Sequence, residues 1–292
     1  MPQQARLIAY PPDGAAVVRT PEPGEVLRIG RAADCDLRLD HPSVSRVHAE
    51  LADGLDGWVL RDLGSKNGSH LDGVRVERAR LERACWLRFG DVHCEFALVD
   101  PAQAHALTER ARTLRAQSQV LARQLAARPR FSGLLDGLLD GVLQLSGGSR
   151  GFVLLPRDGE LVVSASRNAE GLDQSAFAGS VGAVQKVLAE GRPLAVNRID
   201  SAPWLAGRAS VVAGGIQSLV CLPLLDGTRA VGAVYADRSE PGEPVTQLDL
   251  DILAAFAESA AVWVLAGHAL DALEAAPRWS TIVSAHGPGA PA

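Results

Sequence analysis

A chain of 292 residues has the length of two ordinary domains, and 47% hydrophobic with 22% charged residues is the balance of a folded protein with a sizeable core. Its net charge of −5 argues against a general nucleic-acid or membrane-surface binder. The four cysteines, Cys35, Cys85, Cys94 and Cys221, form no C-x-x-C pair and lack metal-ligand spacing, so reduced, buried thiols are expected rather than a metal or a disulfide.

The opening segment, MPQQARLIAY, has no long apolar run and reads as no signal peptide. Residues 1–100 then read as short strands. ARLIAY, VLRIGR, DLRLD, VHAEL, GWVLRDL, CWLRFGDV and CEFALVD are apolar alternations, and Gly, Pro, Asp and Asn fill the gaps. Many short strands at this spacing predict an all-β sandwich or barrel.

The grammar changes at Asp100-Pro101. Residues 101–128 are rich in Ala, Leu, Arg and Gln, which predicts a helical connector. Leu107, Leu114 and Leu121 lie seven apart, one seam position of a coiled coil. The second seam position is poor, with Arg110, Gln117 and Gln124 at one offset and Ala111, Ser118 and Leu125 at the other. The connector therefore either pairs with its copy or packs on its own neighbours.

Residues 129–275 read as mixed α/β. FSGLLDGLLDGVLQL has helical periodicity, and RGFVLL and ELVVSAS are strands joined by a turn. SVGAVQKVLAEG is a helix with a serine cap and a glycine stop. IQSLVCLPLL and RAVGAVYADR flank an Asp-Gly hairpin signal, and a long closing helix follows, with Thr246 as its cap. Its most apolar part, ILAAFAESAAVWVLAG, is short for a bilayer and carries Glu258. Phe131, Leu135, Leu138 and Val142 on the first helix, and Ile252, Phe256 and Trp263 on the last, offer apolar stripes for dimerisation. Residues 276–292 are rich in Pro, Gly and Ala and are expected to be a disordered tail.

Three stretches of the first half belong together: RIGR (28–31), SVSRVHAEL (43–51) and DLGSKNGSHLDGVRV (62–76). In this order, within an all-β chain, they resemble the forkhead-associated (FHA) domain over about residues 5–98. The resemblance implies a β-sandwich that binds phosphothreonine peptides. It implies phosphate contacts for Arg31 and Ser45, peptide orientation for Asn67, and structural support from Gly30, His48 and Gly68. The residues fit that task on chemical grounds. A phosphothreonine carries nearly two negative charges and three acceptor oxygens. Arg31 can give a charge-assisted bond, Ser45 a hydroxyl, Arg46 a further contact, and Lys66 a point charge from the facing loop. Asn67 has a donor and an acceptor for a peptide main chain. Lys66 departs from the pattern, since many relatives carry Thr or Ser there. Ser45, His48 and Asp62 could formally make a catalytic triad, but no nucleophile elbow or oxyanion hole accompanies them, and no enzyme is expected.

GRPLAVNRIDSAPWL, IQSLVCLPLLDGTRAVGAVYADR and VTQLDLDILAAFAESAAVWV make residues 129–275 resemble a GAF domain. That implies a central antiparallel sheet flanked by helices, serving small-molecule sensing or dimerisation. The cyclic-nucleotide signature and a Cys-His pair for a bilin are both missing, so no cofactor is assigned and the ligand is unknown. A pocket would lie near Arg167, Asn197 and Trp204.

The expected organisation is an FHA domain at 1–100, a connector at 101–128, a GAF domain at 129–275 and a tail at 276–292. The expected function is that of a bacterial-type, cytoplasmic, non-enzymatic signalling adaptor. It would be a homodimer that docks partners phosphorylated on threonine by a Ser/Thr kinase, without nucleic acid or membrane. The alternatives are a GAF-ligand-gated regulator acting in trans on a transcriptional or cyclase output, and a phospho-independent scaffold.

Overall fold

A computed structural model describes residues 4–54, 57–127, 131–157, 159–168 and 177–275, and the expected tail at 276–292 lies outside them. The first half runs β1 (Gln4–Tyr10), β2 (Val17–Arg19), β3 (Val26–Gly30), β4 (Leu37–Arg38), β5 (Ala49–Gly54), β6 (Gly57–Asp62), β7 (Ser69–Leu71), β8 (Val74–Val76), β9 (Arg78–Leu81), β10 (Cys85–Phe89) and β11 (Val92–Val99). These build a sandwich of a six-stranded sheet, β2-β1-β11-β10-β7-β8, and a five-stranded sheet, β4-β3-β5-β6-β9. The period-2 pattern decides which side chains fill it: on β10, Cys85, Leu87 and Phe89 are buried while Trp86 is exposed. Leu7, Leu27, Ile29, Leu51, Leu60, Phe89 and Phe96 meet in the core.

The alternation read the long strands and missed the short ones. The DLRLD strand shrinks to the two residues of β4, paired parallel to β3. The strands β7 and β8 form a hairpin whose turn, Asp72-Gly73, has φ of 47° and 85°, the conformation that an Asp-Gly pair favours.

The second half runs α1 (Pro101–Ala126), α2 (Phe131–Ser146), β12 (Arg150–Arg157), β13 (Glu160–Arg167), α3 (Val181–Glu190), β14 (Leu194–Val196), α4 (Pro203–Ala206), α5 (Ala209–Ala213), β15 (Ser218–Asp226), β16 (Arg229–Arg238) and α6 (Gln247–Ala275). Its five strands pair antiparallel in the order β13-β12-β16-β15-β14. Alternate residues of β12 point to opposite faces. Val153 and Leu155 join the core shared with α1, α2 and α6, and Phe152 and Leu154 join the core shared with α3, α4 and α5. Ser180 caps α3 by accepting from Ala183 N, and Gly191 ends it in the left-handed region. Thr246 and Asp249 cap α6 reciprocally, each side chain accepting from the other's main-chain N–H.

The helical stripes are used within the chain. Leu135, Leu138, Val142, Ile252 and Phe256 are buried in the core, which leaves Trp263 (45% exposed) and Val262 (65%) of α6 facing outward. Leu114 and Leu121 pack on the same core beside the buried Leu125, so these two seam positions of α1 face α2 and α6, and the side chain of Leu107 lies outside the described ones. The segment Gln247–Gly267 is long and apolar enough to cross a bilayer by composition, which corrects the shorter estimate above. Leu250, Leu253, Phe256, Ala257, Ala260 and Val264 are nevertheless buried against the sheet and its neighbouring helices, the packing of a core helix.

The two halves touch through the segment between β1 and β2. Ala16 N donates to Val245 O at 2.9 Å, and Ala16 O accepts from Gln247 N at 2.8 Å, at the start of α6. Ala15 enters the helical core, and Asp13 accepts from Trp204 Nε1 at 2.6 Å. The guanidinium of Arg198 lies 5.3 Å from the Trp86 ring centre.

Candidate functional site

Three loops converge at one end of the sandwich: the one leaving β3, the one entering β5 and the one between β6 and β7. Arg31 N donates to Ser45 O at 2.9 Å and Ala32 N to Arg46 O at 3.0 Å, so the first two are zipped by main-chain bonds. Gly30 makes this approach possible, because a Cβ there would collide with the carbonyl oxygen of Arg46 and lie 2.8 Å from Cys35 Sγ. The third loop is tied to the second twice: Lys66 N donates to Ser45 Oγ at 3.0 Å, and Asn67 Nδ2 donates to Ser43 O at 2.7 Å. Gly68 turns the chain at φ 77°.

His48 is fully buried beneath them. Its Nδ1 accepts from Ser45 N at 3.1 Å, and its Nε2 faces Gly68 O at 3.3 Å, which requires the neutral ring with its proton on Nε2. Burial holds its pKa below the usual imidazole value, against the opposing pull of Gly68 O and Asp62. A catalytic triad does not form here. The ring meets the main chain of Ser45, whose hydroxyl is turned to Lys66, and Asp62 Oδ2 lies 3.9 Å from Nε2.

The arrangement leaves donors open to solvent. Arg31, Arg46 and Lys66 are exposed and have no carboxylate partner among the described residues. Ser45 Oγ accepts from Lys66, so its own proton remains to be donated. The structure thus brings all five expected contact residues onto the three tied loops, with Gly30, His48 and Gly68 beneath them.

Sequence reasoning missed the residues that hold the loops. Asp62 Oδ1 accepts from Ser65 N at 2.8 Å, and Oδ2 accepts from the hydroxyls of Ser65 at 2.7 Å and Ser69 at 2.6 Å. Burial pushes its carboxyl pKa up, but these bonds and His48 outweigh it and hold the value below the ordinary one. Ser65 Oγ in turn accepts from Gly68 N at 2.9 Å. Ser43 joins a further loop, since its hydroxyl accepts from Asp91 N at 2.8 Å. The spacing of Asp62, Ser65 and Ser69 was the available signal, an acid followed at three and seven residues by hydroxyls.

The pocket expected near Arg167, Asn197 and Trp204 does not assemble. Arg167 and Asn197 belong to opposite edges of the second sheet. Arg167 is held by Asp136 and Asp140 of α2, and Asn197 exchanges two hydrogen bonds with the main chain of Val245. Asn197 and Arg198 instead line two cavities without Arg167, one of about 630 Å³ in the second domain with Asp200, Ala206 and Val211, and one of about 310 Å³ at the domain junction with Tyr10, Trp86 and Arg238. All four cysteines are buried and unpaired, and burial raises the pKa of the Cys85 thiol to about 11.

Comparison with known proteins follows this division. The FHA domain model matches residues 27–90 and the GAF domain model residues 131–264. Human kanadaptin is 35% identical over 111 residues, 32% of this chain and 15% of that protein. The transcriptional regulatory protein EmbR of Mycobacterium tuberculosis is 40% identical over 77 residues, 26% of this chain and 19% of EmbR. The chain thus spans less than a fifth of the length of these relatives. Among solved structures, the FHA-1 domain of M. tuberculosis Rv1747 is 26% identical, with 34% of this chain and all of that one covered at a TM-score of 0.31. The FhaA FHA domain, complexed with the intracellular domain of Rv3910, is 27% identical, with 32% of this chain and 98% of that one covered at a TM-score of 0.29.

Proposed function

On a chain that carries an FHA domain followed by a GAF domain, we propose that the converged loops read phosphothreonine and that the protein is a non-catalytic signalling adaptor. One observation carries this reading. Three cations without a carboxylate partner among the described residues, Arg31, Arg46 and Lys66, stand on the loops that are tied at Ser45, whose hydroxyl proton is unspent. A phosphate dianion takes such a set of donors, with the planar guanidinium as the fork. Asn67, anchored to Ser43 O, keeps its amide oxygen for the main chain of the peptide.

In this reading the FHA domain occupies residues 1–100, the connector 101–128 and the GAF domain 129–275. The partner is a protein phosphorylated by a Ser/Thr kinase, and the site is cytoplasmic, where such a kinase and reduced thiols are found. Two copies paired through the outward face of α6, at Val262 and Trp263, would double the weak peptide sites and gain avidity. Calorimetry with phosphothreonine peptides and their unphosphorylated forms tests the reading, and equal affinity for both overturns it.

The junction cavity favours a second reading, in which a small molecule held by both domains gates the adaptor's action on a separate output. A thermal-shift screen of nucleotides and amino acids tests it, because a ligand of the folded state raises the melting temperature. No shift with any of them favours the ungated scaffold.

A further inference from the structure

The outer face of the six-stranded sheet carries one transverse row of basic side chains. Arg75 on β8 pairs with His70 on β7, His70 with Arg88 on β10, and Arg88 with His93 on β11. Residues paired in register share a face, and their alternates Leu71, Leu87, Phe89, Val92 and Cys94 turn to the core. The row is electrostatically continuous. After burial, Arg88 and Arg75 are what hold His70 below the usual imidazole pKa, and Arg198 and Arg88 do the same for His93.

One end of the row abuts the phosphopeptide loops. The Arg75 guanidinium lies against Gly68, next to Asn67, with its Nε 2.6 Å from where a Cβ on that glycine would stand. The other end reaches the second domain at Arg198. Arg75 and Arg88 have no carboxylate partner among the described residues, and Arg88 donates to Gly90 O at 2.7 Å. Of the nearby acids, Glu95 is engaged by Tyr10 and Arg6 and Asp200 by Arg198, while Asp91 faces His93 at one end of the row. A chain with a net charge of −5 therefore presents a local basic track beside its anion site.

We propose that this row is a second anion subsite, which takes acidic or phosphorylated residues flanking the phosphothreonine of the same docked peptide. The inference rests on the phosphothreonine reading above and adds a sequence preference to it. The dimensions suit an extended peptide. Four strands about 4.8 Å apart span roughly 14 Å. An extended chain covers that length in about four residues.

The test uses the full chain and phosphothreonine peptides whose flanks, on either side, carry four Glu or four Gln residues, with affinities measured by fluorescence anisotropy. One acidic flank is expected to bind about fivefold tighter than its neutral counterpart, as two ion pairs, at Arg75 and Arg88, would give. That ratio is expected to shrink in raised salt and to fall to about one in Arg75→Gln/Arg88→Gln. Should the loss of the Arg88 bond to Gly90 unfold the double variant, Arg75→Gln alone must still lower the ratio by at least about half. Equal binding of acidic and neutral flanks, with phosphate dependence intact, overturns this subsite and leaves the phosphothreonine reading standing. Loss of phosphate dependence overturns both. A ratio retained in the double variant overturns the assignment to this row. So does a single-stranded oligonucleotide or an anionic vesicle that binds the row more tightly than the acidic peptide.

Discussion

The main-chain N–H of Ser45 donates to Nδ1 of the fully buried His48 at 3.1 Å, so a residue of the proposed phosphate site is aimed by one buried beneath it. The other nitrogen of the ring faces Gly68 O, and one imidazole thereby braces two of the site's three loops. His48→Ala leaves a donor and an acceptor without partners inside the protein, together with a cavity. We expect a loss of about 3 kcal/mol in urea denaturation, with weakened phosphopeptide binding. A loss below about 1 kcal/mol would mean that the ring is a spacer and no brace.

Acid should weaken the first domain well before its carboxylates titrate. His48, His70 and His93 are all held below the usual imidazole pKa, first by burial and, for the latter two, by neighbouring arginines. Unfolded, they take up protons near pH 6.5, while the folded state does not. Below about pH 6.5 the unfolded state therefore binds more protons, and stability falls as pH falls. Denaturation midpoints at pH 7.5, 6.5 and 5.5 should decline in that order, and less steeply in His48→Gln. A flat profile would contradict the neutral ring.

Asp62 organises the loop that carries Lys66 and Asn67 by accepting from three donors. Asp62→Ala should cost about 2 kcal/mol of stability and weaken phosphopeptide binding by about tenfold or more, since the loop must then be ordered on binding. Asp62→Asn keeps an acceptor and should fall between. Because the carboxyl pKa is held below its usual value, its contribution persists at pH 5 and is lost only as pH falls through that lowered value.

Ala16 joins the two domains by donating to Val245 and accepting from Gln247. Ala16→Pro removes the donor and should uncouple the domains. Differential scanning calorimetry is expected to resolve two transitions where the wild type shows one. An unchanged single transition would show that the coupling lies elsewhere.

How much could be read from the sequence depended on the length of the contacts. The long strands and the caps Ser180 and Thr246 follow from local alternation and hydrogen bonding, so they were legible. The strands β7 and β8 have three residues each, too few for a period to show. The five contact residues came from motif spacing and stand on three converging loops, yet the role of Asp62 appears only when the chain folds back on Ser65 and Ser69. Stripes such as Leu135 to Val142 looked available for a second copy, because periodicity shows that a face is apolar but not what covers it. The row from Arg75 to His93 draws one residue from each of four strands, and no local pattern marks it.

The most direct test of the central claim is a calorimetric titration of wild type and Arg31→Ala with one phosphothreonine peptide and its unphosphorylated twin. The account predicts binding of the phosphorylated form alone and a loss of about 2 kcal/mol, some thirtyfold in affinity, in Arg31→Ala. Equal affinity of the wild type for both peptides, or unchanged affinity in Arg31→Ala, would contradict it.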